Sequence, residues 1–203
     1  MTRTVKRLIL ASASVTRQRL LKSAGIAFEC VTAQVDEEAV RAALELAGDT
    51  SPEDVAELLA RAKAQEVLAR HPDCVVIGAD QILAQAGRIY SKPGGPAQAR
   101  DHLLELRGKT HQLHSAVVVA EGKVEAWCVV ETAHLTMRNL SPELIGAYLS
   151  RAGEDVRRSV GAYQLESLGV HLFERIDGDY FTILGLPLLP LLGELRRRGL
   201  AQL

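Results

Sequence analysis

One run near the middle of the chain constrains the fold most, Val75-Val76-Ile77-Gly78-Ala79-Asp80-Gln81. Its first three residues are apolar and β-branched, which is typical of a short strand buried on both faces. Gly78 and Ala79 have almost no side chain, so another backbone or a ligand can approach closely there. Asp80 follows where the apolar run ends, and in open α/β sheets ligands bind at the carboxyl ends of strands. The run predicts an α/β fold and leaves two roles open for Asp80, a turn or N-cap residue or a functional carboxylate.

The length and charge of the chain exclude several classes of protein. Its 203 residues suffice for one substantial core, and we expect a single domain over residues 1–203. A formal net charge of -1 argues against a broad surface for nucleic acid or membrane, so any phosphate must be bound by a few local cations. Three cysteines without metal-binding spacing, and no apolar run as long as a signal peptide or a membrane span, predict a cytoplasmic protein without a zinc site or a disulfide.

The segment after the first predicted strand is typical of an anion site. Leu8-Ile9-Leu10 indicates a buried strand, and the hydroxyls of Ser12 and Ser14 precede a helix that ends near Gly25. Free N–H groups and the dipole at such a helix start attract anions. Arg17 in the first turn is unfavourable to the dipole unless an anion is bound, which favours a functional role. The alternative is a surface arginine beside a serine N-cap.

Two further charged positions each have a structural and a functional interpretation. Asp36-Glu37-Glu38 either begins the helix expected over residues 39–46 or supplies hard oxygen ligands to a divalent metal. The next helix is expected from Ser51-Pro52 to about residue 70, with Leu58 among its buried positions. Lys63 lies inside that apolar stripe, so its amine either reaches past the core to solvent or enters a cleft.

The middle of the chain is rich in predicted strands. Residues 82–90 predict a hairpin around Ala86-Gly87, and the glycine- and proline-rich loop that follows carries Lys92, which either meets a phosphate or is simply solvated. Residues 110–119 and 124–137 alternate in the manner of a long antiparallel ribbon. The histidines of this ribbon match no metal-binding spacing, so we expect them to be structural or exposed.

The last third combines a glycine-containing loop with a basic helix end. Residues 159–169 mix glycines, an aromatic side chain and Glu166, which predicts a loop that shapes the substrate site rather than a core element. Arg196-Arg197-Arg198 falls at the end of the C-terminal helix, where positive side chains suit the helix dipole. We therefore interpret these arginines as structural.

Taken in order, these segments resemble the Maf family of nucleoside triphosphate pyrophosphatases over essentially the whole chain. Each motif is weak alone, but their order along the chain is highly specific. The motifs are Leu8-Ile9-Leu10-Ala11-Ser12-Ala13-Ser14 with Arg17, Val35-Asp36-Glu37, Ala62-Lys63-Ala64, Ile77-Gly78-Ala79-Asp80-Gln81, Lys92-Pro93, Gly108-Lys109-Thr110-His111, Gly161-Ala162-Tyr163, Ile176-Asp177-Gly178-Asp179-Tyr180 and Gly185-Leu186-Pro187.

The resemblance implies both a fold and an activity. The implied fold is an elongated α/β fold, with a central mixed β-sheet flanked by helices and two lobes around a deep cleft, similar to that of inosine triphosphatase. The implied reaction is hydrolysis of a modified or non-standard nucleoside triphosphate to the monophosphate and pyrophosphate. A divalent metal cation (magnesium, manganese or cobalt) and a homodimer are implied as well.

The resemblance also assigns roles to particular residues. Asp80, Lys63 and Lys92 are expected to be catalytic, and Glu37 is expected to bind the metal together with Asp80. The expected substrate-binding residues are Ser12, Ser14, Arg17, Gln81 and Glu166. The cations would neutralise the charge that develops on the leaving pyrophosphate. Asp80 stays open to two roles, general base and metal ligand.

Four positions depart from the family's commonest form. Thr16 and Ser159 stand where an arginine and a lysine are usual. Gln81 stands where a threonine is usual, and Glu166 replaces a glutamine. The latter pair and the single arginine resemble the branch that hydrolyses 7-methyl-GTP, and an ionised carboxylate suits the N–H edge of guanine. Gly161-Ala162-Tyr163 instead resembles the pyrimidine branch, so both bases stay open. The two lost cations motivate an alternative function, a catalytically weak nucleotide-binding regulator of cell division.

Overall fold

The structure, a computed structural model of the 203-residue chain, describes residues 6–47, 50–122 and 124–202. Its strands are β1 (Leu8–Ala11), β2 (Glu29–Cys30), β3 (Val75–Gln85), β4 (Arg88–Tyr90), β5 (Thr110–Glu121), β6 (Val124–Met137) and β7 (Phe173–Asp177). Its α-helices are α1 (Val15–Ser23), α2 (Glu37–Ala47), α3 (Pro52–Arg70), α4 (Pro96–Leu106), α5 (Pro142–Ala152), α6 (Tyr180–Ile183) and α7 (Leu188–Arg198). Three 3₁₀ segments follow α5: Gly153–Arg158, Val160–Ala162 and Leu168–Leu172. In the described parts of the chain, no helix has both the length and the hydropathy of a membrane span.

The strands form one mixed sheet in the order β2-β1-β3-β5-β6-β7, with β4 paired to β3 outside this path. β1 runs parallel to β2 and β3, and the pairs β3–β4, β3–β5, β5–β6 and β6–β7 are antiparallel. The long antiparallel ribbon expected from the alternating residues is therefore confirmed. So is the expected α/β class, with a central mixed sheet and helices packed against it.

The helices pack on the sheet in two lobes that share its long strands. In the first lobe, α1 and α7 cover one face of the sheet and α3 covers the other, so Ile77 and Val76 belong to opposite layers. In the second lobe, α4, α5 and the 3₁₀ segments pack around the far ends of β3, β5 and β6. Leu83 of β3 and Leu113 of β5 are fully or almost fully buried there.

A gap in strand pairing beside β3 leaves room between these lobes. One edge of β3 is paired with β5 from Val75 to Ala84. On the other edge, β1 pairs with residues 75–78 and β4 pairs with residues 83–85. Among the described residues, no strand pairs with residues 79–82 on that edge. The gap lies between the end of β1 and the start of the β4 hairpin.

β3 is longer than the apolar run indicated. The expectation that the strand ends at Asp80 is wrong, because β3 continues through Asp80 to Gln85. The buried residues Ile82 and Leu83 resume the apolar pattern. Asp80 and Gln81 therefore interrupt the run of apolar side chains, while the backbone of the strand continues through them. The predicted hairpin at Ala86-Gly87 is confirmed, and both residues have positive φ, as tight two-residue hairpin turns require.

The serine signals for helix starts are confirmed. Ser51 Oγ accepts the N–H of Asp54, whose carboxylate accepts the N–H of Ser51, so α3 begins with a complete capping box. Ser14 caps α1 by accepting the N–H of Arg17. These caps fix where the two helices begin relative to β1 and β3.

Two expectations about burial are wrong. Leu58 is 41% exposed, because its neighbour Leu59 takes the position that faces the sheet. Val160 and Tyr163 were expected in a loop outside the core, yet both are buried in the second lobe. Gly161 has a positive φ and lies tightly against Leu83 and Tyr163, which lets this segment fold into the core.

The arginines at the end of α7 form ion pairs within the fold. Arg197 and Arg198 both pair with the buried Glu194, one turn earlier in the same helix. Arg198 also pairs with Glu121 at the end of β5 at 2.8 Å. This agrees with the structural role expected for the basic helix end.

Candidate active site

The gap beside β3 opens into a cleft of about 1220 Å³ between the two lobes. Its walls come from the loop after β1, the start of α2, α3, the loop after β4 and the segment over residues 157–167. All nine residues expected in the site line it: Ser12, Ser14, Arg17, Glu37, Lys63, Asp80, Gln81, Lys92 and Glu166. The fold brings together positions that are far apart in the sequence, and their individual roles stay predictions.

Two carboxylates and one ammonium group form a cluster in the cleft. Lys63 Nζ donates to Asp80 Oδ1 at 2.6 Å and lies 2.7 Å from Glu37 Oε1. Asp80 is only 5% exposed, and its Oδ2 has no hydrogen-bond partner in the described structure. Burial acts to raise the pKa of Glu37, but Lys63, Arg41 and Lys92 outweigh it and the net pKa is lowered. Glu37 is therefore a carboxylate at neutral pH.

Gly78 lets Lys63 reach Asp80. A methyl group at residue 78 would lie 2.2 Å from the carbonyl oxygen of Ala60 and 2.8 Å from Cβ of Ala64. α3 therefore packs directly against the backbone of β3, which confirms the close backbone approach expected at this glycine. Because side chains alternate along a strand, Gly78 and Asp80 share the face that α3 covers, and Lys63 meets Asp80 there.

Arg17 is a buried residue, so the alternative of a surface arginine is wrong. It is 9% exposed and donates to the carbonyl oxygens of Gly185 at 2.7 Å and Ala79 at 2.9 Å. Ala79 belongs to the part of β3 without a neighbouring strand, so the guanidinium satisfies a backbone group that the gap leaves unpaired. Burial lowers the pKa of Arg17, whereas the cleft carboxylates act to raise it. Arginine stays charged in proteins, so a positive charge lies at the base of the cleft.

The two serines occupy the turn between β1 and α1. Ser12 Oγ accepts the N–H of Ser14 at 3.2 Å and a hydrogen bond from Arg17 at 3.3 Å. Ser14 Oγ accepts the N–H of Arg17. Each hydroxyl therefore acts as an acceptor within the described structure, and its own proton is available to a ligand oxygen.

Lys92 reaches the cleft from the loop after β4. Partial burial lowers the pKa of its amine, and the charge of Arg17 acts in the same direction. The adjacent Ser91 accepts a hydrogen bond from Arg41 at 3.3 Å, and Arg41 lies 3.6 Å from the Glu37 carboxylate. Arg41 thus joins the start of α2 to the loop that carries Lys92.

Gln81 lines the cleft, but its amide nitrogen donates hydrogen bonds to other groups of the protein. Nε2 lies 3.0 Å from Ser115 Oγ and 3.1 and 3.0 Å from the carbonyl oxygens of Thr182 and Ile183. It follows Asp80 directly on β3 and so faces the opposite side of the sheet. In this structure Gln81 holds the end of α6, next to the Gly185 carbonyl that binds Arg17.

Glu166 contacts another of the positions that depart from the family's commonest form. Its Oε1 accepts hydrogen bonds from Thr16 Oγ1 at 3.4 Å and from Arg19 at 3.1 Å. Both contacts use the same oxygen, so Oε2 is available to a ligand within the described structure. The threonine in place of an arginine therefore contacts the glutamate in place of a glutamine.

The carboxylates fit a hard divalent cation that also binds substrate oxygens. Among the described residues there is no group of three or more His, Cys, Asp or Glu side chains suited to a metal. Asp80 and Glu37 can offer carboxylate oxygens, and the buried, unpartnered Oδ2 of Asp80 lacks the partner that a cation would provide. Magnesium typically takes one or two protein carboxylates and completes its shell with water and phosphate oxygens. The expected ligand pair is consistent with that chemistry.

Sequence reasoning missed several cations of the cleft wall. Arg19, Arg41, Arg157 and Arg158 all line it. The only sequence signal was the basic pair immediately before Ser159, and a basic pair is equally typical of a solvated surface. Which cations face a cleft depends on how the two lobes are joined, which no local pattern contains.

A mixed sheet with a pairing gap beside a central strand, and a cleft there lined by cations and carboxylates, defines a class of α/β protein that binds an anionic small molecule. The family can also be identified. The model of the family described as Maf-like protein matches residues 7–198, and the chain belongs to this family. The resemblance inferred from the ordered motifs is confirmed.

Two similar proteins carry names that indicate an activity. A 7-methyl-GTP pyrophosphatase from Brucella suis biovar 1 is 55% identical, with 96% of each chain covered. A nucleoside triphosphate pyrophosphatase from Bradyrhizobium diazoefficiens is 54% identical, with 95% of this chain and 94% of that protein covered. A solved nucleoside-triphosphatase / dITP/XTP pyrophosphatase from Mycobacterium abscessus has a TM-score of 0.38 at 18% identity, covering 66% of this chain and 74% of its own. That likeness is too slight to support a conclusion.

Proposed function

We propose that this protein hydrolyses a nucleoside triphosphate to the nucleoside monophosphate and pyrophosphate. The observation that carries the proposal is the buried Asp80 in the cationic cleft, with one carboxylate oxygen bound to Lys63 and the other unpartnered in the described structure. Membership of the Maf-like family and the names of relatives that are 54–55% identical support the same activity.

In this proposal, the cleft side chains have two roles: some neutralise the charge of the phosphates, and one activates the attacking water molecule. Arg17, Lys63 and Lys92 neutralise the triphosphate, and their charges act more strongly in the cleft than in bulk water. Asp80 Oδ2 accepts a proton from a water molecule, whose oxygen attacks the α-phosphorus. As the new P–O bond forms, the bond between the α-phosphorus and the bridging oxygen breaks, and pyrophosphate leaves with the electron pair of that bond. A general base of this kind contributes about 10²–10⁴-fold to the rate.

Asp80 and Glu37 would hold a divalent metal cation, with magnesium, manganese and cobalt as candidates. Such a cation, when bound, neutralises phosphate oxygens as a Lewis acid. Lys63 bridges the two carboxylates at 2.6 and 2.7 Å, so it keeps both acids at the same place in the cleft. Asp80 therefore serves either as general base or as metal ligand. If it is a metal ligand, activity of an Asp80 variant should depend on a higher metal concentration than activity of the unsubstituted protein.

We further propose a guanine nucleotide methylated at the 7-position as the preferred substrate. Glu166 supports this preference because an ionised carboxylate accepts hydrogen bonds from the N–H edge of guanine. The Brucella suis relative named as a 7-methyl-GTP pyrophosphatase supports it too. Gly161-Ala162-Tyr163 instead resembles the pyrimidine branch of the family, so dTTP and UTP are the competing substrates.

The broader setting belongs to the same proposal. We place the protein in the cytoplasm as a homodimer with one domain over residues 1–203, acting on the nucleotide pool and not on nucleic acid. Sedimentation of the purified protein at micromolar concentration tests the dimer. A sedimentation coefficient that corresponds to 22.0 kDa would reject it.

One assay tests the activity and its rival. The purified protein is incubated with magnesium or manganese and with 7-methyl-GTP, dTTP, UTP, GTP or ATP, and pyrophosphate and monophosphate are measured. We expect equal amounts of both products, fastest from 7-methyl-GTP. Nucleotide binding without pyrophosphate release from any substrate would reject the enzyme and support the nucleotide-binding regulator.

A further inference from the structure

The cations nearest the catalytic carboxylates are largely occupied by the protein itself. Lys63 contacts both Asp80 and Glu37. The guanidinium of Arg17 donates hydrogen bonds to two backbone carbonyl oxygens and a serine hydroxyl. These side chains and Lys92 provide three positive charges beside two carboxylates, whereas a triphosphate carries several negative charges. Even with the proposed divalent cation bound, the substrate gains affinity from further cations in the rest of the cleft.

Arg157 and Arg158 are cleft cations that form no ion pair with a cleft carboxylate in the described part of the chain. Two other arginines at the wall are already paired there, Arg19 with Glu166 and Arg41 with Glu37. Within the described residues, the ion pairs of Arg157 and Arg158 involve only neighbours of their own 3₁₀ segment. The partners are Glu154 at 2.9 Å and Asp155 at 3.3 Å.

The local pairs of these arginines are easily exchanged for a ligand. The four side chains involved are 47–74% exposed, and exposed ion pairs contribute little to stability. An incoming phosphate offers several charged acceptor oxygens, and a guanidinium binds these in a bidentate manner. The free energy lost when Glu154 and Asp155 are released to solvent is therefore smaller than the free energy gained from the contacts with phosphate.

The backbone that carries the two arginines is fixed on both sides. Val156 is 3% exposed and Val160 is 6% exposed, and both belong to the core of the second lobe. Arg157 and Arg158 lie between these anchors, so their Cα positions are set although their side chains reach solvent. Ser159, where the family usually has a lysine, donates its hydroxyl to the carbonyl oxygen of Tyr163 and supplies no charge.

We propose that Arg157 and Arg158 bind the β- and γ-phosphates of the substrate, the part that leaves as pyrophosphate, and replace the charge missing at Ser159. This assignment rests on the proposed function of the cleft. It makes the pair a binding site for pyrophosphate itself, whether or not hydrolysis occurs. The opposite assignment, to the base and ribose, is an outcome of the test.

The test compares two double variants that each remove two exposed, paired arginines. R157A/R158A removes the proposed site. R7A/R175A is the matched control, because those side chains are 60% and 74% exposed, pair with Glu29 and Asp177, and do not line the cleft. Inhibition by inorganic pyrophosphate and by the nucleoside monophosphate is measured for both variants and the unsubstituted protein at one metal concentration. Calorimetric titration with inorganic pyrophosphate gives the same comparison without turnover.

We expect R157A/R158A to raise both the KM for the triphosphate and the inhibition constant for pyrophosphate about tenfold or more. The inhibition constant for the monophosphate should not change, and R157K/R158K should recover part of the lost affinity. An unchanged pyrophosphate constant, an equal effect of R7A/R175A, or a rise confined to the monophosphate would overturn the assignment. If no triphosphate is hydrolysed at all, the calorimetric comparison still decides whether the pair binds pyrophosphate.

Discussion

At the scale of single residues, Asp80 is the side chain whose surroundings most require a ligand. Its Oδ1 is bound to Lys63, while the buried Oδ2 lacks a partner in the described structure. Leaving a buried carboxylate oxygen unpaired is costly, so structures retain such groups where a ligand or water completes them. The strand around Asp80 is paired to β5 from Val75 to Ala84, and this pairing holds the backbone that carries the open oxygen.

The substitution Asp80→Asn tests this position. It keeps the shape of the side chain but removes the charge that accepts a proton or binds a cation, so we expect kcat to fall about 100-fold or more. The fold should persist, since Lys63 retains Glu37 as its partner. Steady-state kinetics and circular dichroism measure the two effects. Asp101→Asn, an exposed aspartate of α4 outside the cleft, should leave the rate unchanged, and near-normal activity of Asp80→Asn would remove Asp80 from the mechanism.

Glu166→Gln tests recognition of the base. The amide keeps one acceptor oxygen but loses the charge that suits the N–H edge of guanine. We expect kcat/KM for 7-methyl-GTP to fall about tenfold relative to that for UTP, with a smaller change in overall rate. Competition between the two nucleotides in one reaction measures the ratio. Glu174→Gln on β7 lies outside the cleft and should preserve it, and an unchanged ratio for Glu166→Gln would refute the role in base recognition.

How far the site residues could be predicted depends on what each one needs. Ser14 and Asp80 belong to local motifs, so their place at the site follows from neighbouring residues. The burial of Arg17 could not be predicted, because its partners at Ala79 and Gly185 come from distant parts of the chain. Gln81 was singled out for specificity, whereas the structure shows its amide nitrogen on the backbone of α6, and its contact with substrate stays a prediction.

At the scale of elements, the contact between α3 and β3 positions the cluster proposed to be catalytic. α3 supplies Lys63 and β3 supplies Asp80, and both depend on the absence of a side chain at Gly78. The capping box at Ser51 fixes where α3 begins, so Lys63 falls on the turn that faces Asp80. The helix and its start could be predicted from the sequence, but the distance between helix and strand could not.

The substitution Gly78→Ala tests that contact. The added methyl group would meet the Ala60 carbonyl oxygen at 2.2 Å, so α3 must move away from β3. We expect a loss of about 3 kcal/mol or more in the free energy of unfolding, and reduced turnover in the folded fraction. Urea unfolding and kinetics measure both. The control Gly193→Ala lies in α7, where the new methyl group would have no heavy atom within 4 Å apart from its chain neighbours and the nearby backbone of its own helix. It should be neutral or stabilising by up to about 1 kcal/mol. Equal stability of the two variants would contradict the packing argument.

At the scale of the whole molecule, the second lobe contains a buried histidine that couples stability to pH. His111 is 1% exposed, and its Nε2 lies 2.7 Å from the hydroxyl of Tyr163, while Nδ1 has no partner in the described structure. Burial lowers the pKa of His111 to about 4. Burial also raises the pKa of Tyr163, so the pair is neutral at physiological pH.

The sign of the resulting pH dependence follows from linkage. The pKa of His111 is lower in the folded protein than in the unfolded chain, so the unfolded chain binds the proton more tightly. Stability is complete above about pH 6.5 and is lost as the pH falls toward 4, with about 2 kcal/mol lost between pH 7 and pH 5 through this residue. Urea unfolding at both pH values should show a smaller drop for His111→Gln. His171→Gln, at an exposed position, should keep the full drop, and an equal drop in all three proteins would exclude His111 as the cause.

The helices and strands could be predicted from the sequence better than their arrangement in space. Alternating residues at 110–119 and 124–137 predicted the antiparallel ribbon, and the serine signals predicted where helices begin. The continuation of β3 through two polar residues was missed, because periodicity is lost where a strand crosses from one lobe to the other. The order of the strands, and with it the gap at residues 79–82, depends on pairing between distant segments that no local pattern encodes.

The passage of β3, β5 and β6 through both lobes has a mechanical consequence. A hinge motion between the lobes would have to bend these strands and break hydrogen bonds between residues 79–82 and their partners on β5. The shared strands therefore oppose a hinge motion between the lobes, and little binding energy would be lost to such a motion. We expect the backbone amides of residues 79–82 that pair with β5 to be among the slowest to exchange with solvent deuterium, with or without nucleotide.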